Sequence, residues 1–183
     1  KRNIDFRKYF DRLDGEVVFN EWGVGHKKGT LEHFTRMLHP MESFQSLEEF
    51  ERYPYPDPVK DYGWEEIPER VDQLKQQDLV VVAPMATTIF EIAWYLRGME
   101  RFMIDMLTAP ELASYHMDRI TDIRCECARR YAYAGVDILH VGDDVATQLD
   151  MMMSPELWRK YLKPRLKKVI DAAREVKEDI IID

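Results

Sequence analysis

Cysteine is scarce in this sequence: two in 183 residues, Cys125 and Cys127. They stand two apart inside a helical pattern, where side chains at that spacing point roughly 200° away from each other. They do not easily share a metal or form a bridge, so a disulfide scaffold is excluded and a reducing, cytoplasmic setting is the expectation. Long apolar runs are missing too. The longest, LVVVAPMATTIF from Leu79 to Phe90, is too short and too broken to span a bilayer. No charged-then-apolar leader opens the chain, so nothing points to export. Positive charge is outweighed, 26 Lys and Arg against 34 Asp and Glu, for a formal net charge of -8. That balance argues against a nucleic-acid or anionic-membrane binder, and says nothing against a local basic pocket. There is no P-loop, nucleophile elbow or zinc motif, no internal repeat and no low-complexity segment. The glycines of GVGHKKG follow an edge-like strand and open no helix, so they are not a dinucleotide fingerprint.

What is present suffices for one core: 45% of residues are hydrophobic and 33% charged, the balance of an ordinary soluble domain. Residues 1–183 read as a single domain. The chain begins at Lys1 and stops on the strand-like DIIID; it is expected to be part of a longer protein.

GEVVFNEWGV (Gly15 to Val24) is β-rich and leads into GHKKG, which reads as a turn, with TLEHFTRMLHPM as a second extended piece. Ser46 and Glu49 make a capping box for a short helix that the prolines at 54, 56 and 58 end. IPERVDQLKQQ is a helix with Pro68 in its first turn. DLVVVAP is an unbroken apolar strand, the pattern of a parallel strand buried on both faces. Thr88 to Leu107 is helical with a weak point at Gly98. A longer helix follows, with Thr108 and Glu111 as its capping box, Pro110 early and Gly135 as its stop. Its apolar stripe runs through Leu112, Ile120, Ile123, Cys127 and Tyr131. The strand VDILHV leads to a polar loop, then to a helix capped by Ser154, begun by Pro155 and kinked at Pro164. DIIID is the next strand.

Strand and helix alternate, which makes a parallel sheet of about four βα units. A closed (β/α)₈ barrel takes about 250 residues, so this is either an open doubly wound sheet or an incomplete barrel. The unfinished last strand favours the barrel. Half a barrel exposes strand edges, so the 183 residues by themselves are expected to be poorly soluble.

Parallel α/β folds place chemistry at the carboxyl ends of their strands. Three such ends are read: Gly142, Asp143 and Asp144 after VDILHV, Met85 to Thr88 after LVVVAP, and Asn20, Glu21 and Trp22 after EVVF. Asp143 and Asp144 either cap backbone N–H groups or face a cleft; adjacent residues leaving a strand point to different sides, and burying both together would raise one pKa. Glu21 beside Trp22 is either a site acid against an apolar wall or an exposed acid of an edge strand. His140 alternates with Leu139 and Val141 and is read as an interlayer histidine or a ligand. His26, His33, His39 and His116 show no metal spacing and are expected at the surface. Trp94 and Tyr95 lie on a helix, at least one of them for packing. Met151 to Met153 are apolar lining.

At GVDILHVGDDVATQLDMMMSPELWRKYLKPRLKKVIDAA the sequence resembles the uroporphyrinogen decarboxylase family, whose superfamily also holds methyltransferases that serve corrinoid proteins. A strand ending in Asp, a loop, Ser-Pro-Glu, an aromatic and a later Pro before a basic helix carry the likeness. APMATTIFEIAWYLRGME is similar to the family's second signature, and EWGVG with YPYPDP fits its divergent branch. The resemblance covers essentially the whole chain, while family members are nearly twice as long. It implies a (β/α)₈ barrel, here an incomplete portion, in a homodimer with a polar cleft. It also implies cofactor-free decarboxylation of a tetrapyrrole, with an acidic residue stabilising the protonated-ring intermediate electrostatically.

Carried over residue by residue, Glu21 stands for the family's strand-end Asp, and Trp94, with Tyr95 adjacent, for its assisting Tyr. Asp143 matches the Asp that precedes the family's Ser, and Asp144 replaces that Ser. The resemblance thus implies Glu21, Asp143 and Asp144 as catalytic, and Trp22, Trp94, Tyr95, His140 and Gln148 as substrate-binding. An extra carboxylate at 144 repels an octa-acid, so the implied substrate is less acidic than uroporphyrinogen. The methyltransferase alternative implies zinc and a corrinoid protein, with the zinc ligands outside these residues. A non-catalytic binding barrel is the third reading.

Overall fold

Six short strands and seven α-helices form in the computed structural model, which describes residues 4–28 and 35–183. In chain order they are β1 (Val17–Phe19), β2 (Gly25–Lys28), β3 (Thr35–Leu38), α1 (Leu47–Arg52), α2 (Ile67–Lys75), β4 (Val82–Ala86), α3 (Phe90–Arg97), α4 (Met99–Thr108), α5 (Pro110–Tyr133), β5 (Ile138–Gly142), α6 (Pro155–Leu157), α7 (Lys163–Arg174) and β6 (Ile181–Ile182). Two units emerge, Lys1–Pro56 with Ile92–His116, and Asp57–Glu91 with Met117–Asp183. His33 and the rest of TLEHF lie outside the described residues.

In the first unit β1, β2 and β3 make an antiparallel meander, with Val17 opposite Lys27 and Gly25 opposite Leu38. This corrects two expectations. EVVF is not a parallel strand, and GHKK is the middle strand rather than a turn. The chain reverses earlier, because Asn20 builds the turn: its side-chain oxygen accepts the N–H groups of Trp22 and Val24, each at 3.0 Å. Gly23 completes it at φ +84°, where a Cβ would collide with the Tyr53 hydroxyl and the Phe6 ring.

The core of this unit is aromatic. Phe44 and Phe50 meet edge to face at 5.4 Å, and Phe50 and Phe102 flank His116 at 5.3 and 5.8 Å. His116 is fully buried, not at the surface as expected. Its Nε2 lies 3.0 Å from the Ala93 carbonyl and its Nδ1 2.7 Å from the Tyr55 hydroxyl, so both ring nitrogens are satisfied without solvent. The capping box of α1 forms, with the Glu49 carboxylate taking the Ser46 N–H at 2.8 Å. The one placed at Thr108 does not. Thr108 is the last residue of α4 and its hydroxyl donates back to the Ile104 carbonyl at 2.9 Å. Gly98, at φ +85°, breaks the helical run between α3 and α4.

In the second unit β4, β5 and β6 pair in parallel and in that order, with Val82 opposite Ile138 and Ile138 opposite Ile181. Ala83, Met85 and Leu139 on one sheet face are buried, as are Ile120, Ile123 and Cys127 of the helical stripe. The other face is not. Val80 is 68% and Val82 49% exposed, and Pro84 and Ala86 are exposed as well. The expectation that this strand is buried on both faces fails among the described residues, because helices cover the sheet on one side only. Gly135, at φ +86°, ends α5 as read from sequence. Ser154 accepts the Leu157 N–H at 3.3 Å and so caps α6. Pro164 has no N–H to give back to Lys160, and the chain passes through a π-helical turn, Trp158–Leu162, instead of a sharp kink.

Candidate functional site at the strand ends

The parallel strands of the second unit end in polar residues that hold one another through the main chain. Thr88 is buried just after β4. Its hydroxyl donates to the Met85 carbonyl at 2.7 Å and accepts the Gly142 N–H at 3.0 Å. Its own N–H donates to the Gly142 carbonyl at 2.9 Å, so the ends of β4 and β5 are stitched together. Arg124 reaches up from α5 to the carbonyls of Thr87 and Thr88 at 3.0 and 3.1 Å. Thr87 itself sits at φ +60°, an unusual conformation for a β-branched residue.

Asp143 leaves β5 directly beneath the start of α3. Its carboxylate accepts from the N–H groups of Ile89 at 2.9 Å, Phe90 at 3.0 Å and Glu91 at 3.1 Å, taking the orphan donors at the positive end of the helix. Glu91 answers by accepting the Asp144 N–H at 3.1 Å. Two segments far apart in sequence thus exchange carboxylates as a capping box does within one helix. Burial pushes the Asp143 pKa up, and the nearby Glu91 carboxylate adds to it, against the three N–H groups that pull it down.

The two aspartates therefore live in different surroundings. Asp143 is spent on the main chain, whereas the side chains of Asp144 and Gln148 are exposed. On the open face of β5, His140 Nδ1 lies 2.7 Å from Asp183 Oδ2, beyond β6.

The other residues singled out from sequence belong to the first unit. Glu21 is exposed and sits in the turn between two antiparallel strands, not at the carboxyl end of a parallel one as expected. Trp22 is 1% exposed, and its carbonyl accepts from the Tyr53 hydroxyl at 2.6 Å, so its indole packs behind that turn. Trp94 and Tyr95 meet edge to face at 4.2 Å on α3. The Trp94 indole N–H is buried with no acceptor among the described residues.

Sequence reading placed Thr88 at a strand end but passed over Glu91, Arg124 and Asp183. A signal for Glu91 was present, since Thr88-Ile-Phe-Glu91 has the Thr-x-x-Glu spacing of a capping box. Among the described residues no three His, Cys, Asp or Glu side chains stand close enough to hold a metal ion. Nor is any helix among them long and apolar enough to cross a membrane.

Comparison with known proteins agrees with this architecture. No curated protein sequence matches the chain. Among solved structures, a methyltransferase from Methanosarcina mazei superimposes with a TM-score of 0.60 at 20% identity, over 84% of this chain and 44% of that one. The chain thus spans less than half the length of that protein, and the likeness shows the fold, an incomplete (β/α)₈ barrel. The family model for uroporphyrinogen decarboxylase (URO-D) matches residues 39–182, from the end of the meander through α7 to β6. On that match the chain belongs to the uroporphyrinogen decarboxylase family.

Proposed function

We propose that the protein is an enzyme that decarboxylates a small carboxylated substrate, a tetrapyrrole or a related acid, by acid–base and electrostatic chemistry at the carboxyl ends of its parallel strands. The observation that carries this reading is the polar lattice there. Thr88, Asp143, Glu91 and Arg124 fix the mouths of β4 and β5 through eight named contacts to main-chain atoms, which is more order than a surface loop needs. Preorganisation of this kind makes fixed dipoles effective on a developing charge.

In this reading Asp143 orients rather than reacts, since its oxygens are occupied by α3. Glu21 is the proposed charge stabiliser. His140 and Gln148, in the second unit, are the proposed substrate-binding residues at the strand ends; for Trp22, Trp94 and Tyr95, in the first unit, a substrate-binding role is proposed on the family resemblance alone. Asp144, exposed and negative, disfavours poly-acidic substrates, though water screens much of that repulsion. The family's homodimer is part of the same proposal.

A second reading, methyl transfer with a corrinoid protein, is favoured by the fold likeness to the Methanosarcina mazei methyltransferase. A zinc-held thiolate does not fit the residues described. Cys125 and Cys127 are buried in α5, where burial pushes both thiols up to about 11. Thiolates are scarce at neutral pH from such groups.

The test is turnover by the full-length protein. Carbon dioxide released from uroporphyrinogen or a simpler ring-acetate acid is the expected result. No release from any of these acids, together with demethylation of a methylcobalamin-loaded corrinoid protein, would replace this reading with the second.

A further inference from the structure

We infer that His140 and Asp183 form a proton-transfer dyad, with Asp183 holding the ring and His140 Nε2 delivering a proton to the carbon that loses its carboxylate. The inference rests on the decarboxylase reading above.

Three observations converge on the pair. First, the imidazole is oriented: Nδ1 lies 2.7 Å from Asp183 Oδ2, so the carboxylate fixes the Nδ1–H form and leaves Nε2 to act. Second, Nε2 is directed along β5 towards its carboxyl end, where a Cβ added at Gly142 would stand 3.9 Å from it. Nε2 has no hydrogen-bond partner among the described residues. Third, the pair has no structural task in the sheet. Strand pairing is done by the main chain, with Val141 N–H to the Asp183 carbonyl at 2.7 Å and Asp183 N–H to the Leu139 carbonyl at 3.1 Å. The neighbours on this face are Val82, Pro84, Ile138 and Ile181. A half-exposed histidine and an exposed carboxylate beside these apolar side chains are a polar site on an apolar wall.

The step balances as follows. The bond from carbon to carboxylate breaks and carbon dioxide leaves. The electron pair stays on the carbon, delocalised into the electron-accepting ring or carbonyl beside it. The imidazolium gives its Nε2 proton to that carbon and a C–H bond forms. The neutral ring keeps Nδ1–H on Asp183 and regains a proton from water. The ligand class follows from the step: an acid whose carboxylate-bearing carbon is attached to such an electron acceptor.

Two measurements on the full-length protein test the dyad. In the first, nitrogen NMR of labelled histidine reads the neutral tautomer of His140. The Nδ1–H form is expected in the wild type, with a shift towards Nε2–H in Asp183→Asn. An unchanged tautomer would overturn the orienting role of Asp183. In the second, His140→Ala is expected to lower kcat by about 100-fold or more, with little change in KM and partial rescue by added imidazole. Turnover at the wild-type rate, or a loss confined to KM with no rescue, would overturn the donor role. If the wild type releases no carbon dioxide, the proposed function falls and the donor role falls with it. The tautomer measurement then still decides the orientation of the pair, so the two failures are separable.

Discussion

Arg97 and Asp105 form an ion pair in the aromatic core of the first unit, Nε to Oδ2 at 2.7 Å, with side chains 1% and 5% exposed. Arg97 Nη1 donates to the carbonyls of Met41, Glu42 and Phe44, and the guanidinium lies over the Phe50 ring at 5.4 Å. One guanidinium thus fastens α3 to the segment that follows the meander. Removing its counter-charge leaves a buried cation. Asp105→Ala is expected to cost about 3–5 kcal/mol in urea unfolding, whereas an exposed pair such as Arg129 with Glu175 should cost under about 1 kcal/mol. Equal losses would show that Arg97 finds water when its partner is gone.

His116 makes the first unit sensitive to acid. Burial lowers its pKa from 6.5 to about 4. The unfolded chain therefore takes up this proton at higher pH than the folded one. The stability tied to neutral His116 is fully present above 6.5 and is lost as pH falls towards 4, on the order of 3 kcal/mol in all. Urea unfolding at pH 7 and pH 4.5 should show the wild type losing more stability than His116→Gln; parallel losses would disprove the assignment.

Asp143 holds the amino end of α3. Asp143→Ala removes the acceptor for three N–H groups and is expected to cost about 1–3 kcal/mol, while Asp143→Asn, which keeps one oxygen, should cost less. Because burial raises its pKa, the carboxyl favours folding most below its ordinary value of 3.8, and that contribution is lost as pH rises through the raised value. Chemical denaturation of both variants across that range checks the order and the sign.

Gly23 is the fourth handle on stability. Its φ of +84° and the Tyr53 and Phe6 atoms facing its missing Cβ make Gly23→Ala expensive, roughly 3 kcal/mol or more. Gly63→Ala, which meets nothing within 4 Å, is the matched control and should be near neutral in thermal unfolding.

By itself the sequence determined what local chemistry decides. The Ser46–Glu49 box, the Gly98 break, the Gly135 stop and the Ser154 cap all depend on residues within a turn of one another, and all were legible. So were the parallel strands around Ala83 and Leu139 and the family, carried by motifs of consecutive residues. Tertiary structure decided the rest, because pairing partners are long-range. Whether VVF joins a meander or a barrel depends on what β2 and β3 do, and only the Asn20 turn reveals it. Thr108 has a capping spacing, but α4 runs through it and claims its hydroxyl. His116 stands in a mixed stretch, ASY on one side and MDR on the other, and becomes core only because Phe50, Tyr55 and Phe102 close around it. Asp143 and Asp144 are neighbours in sequence, yet α3 arrives over one carboxylate and leaves the other in water, since a strand turns adjacent side chains to opposite sides.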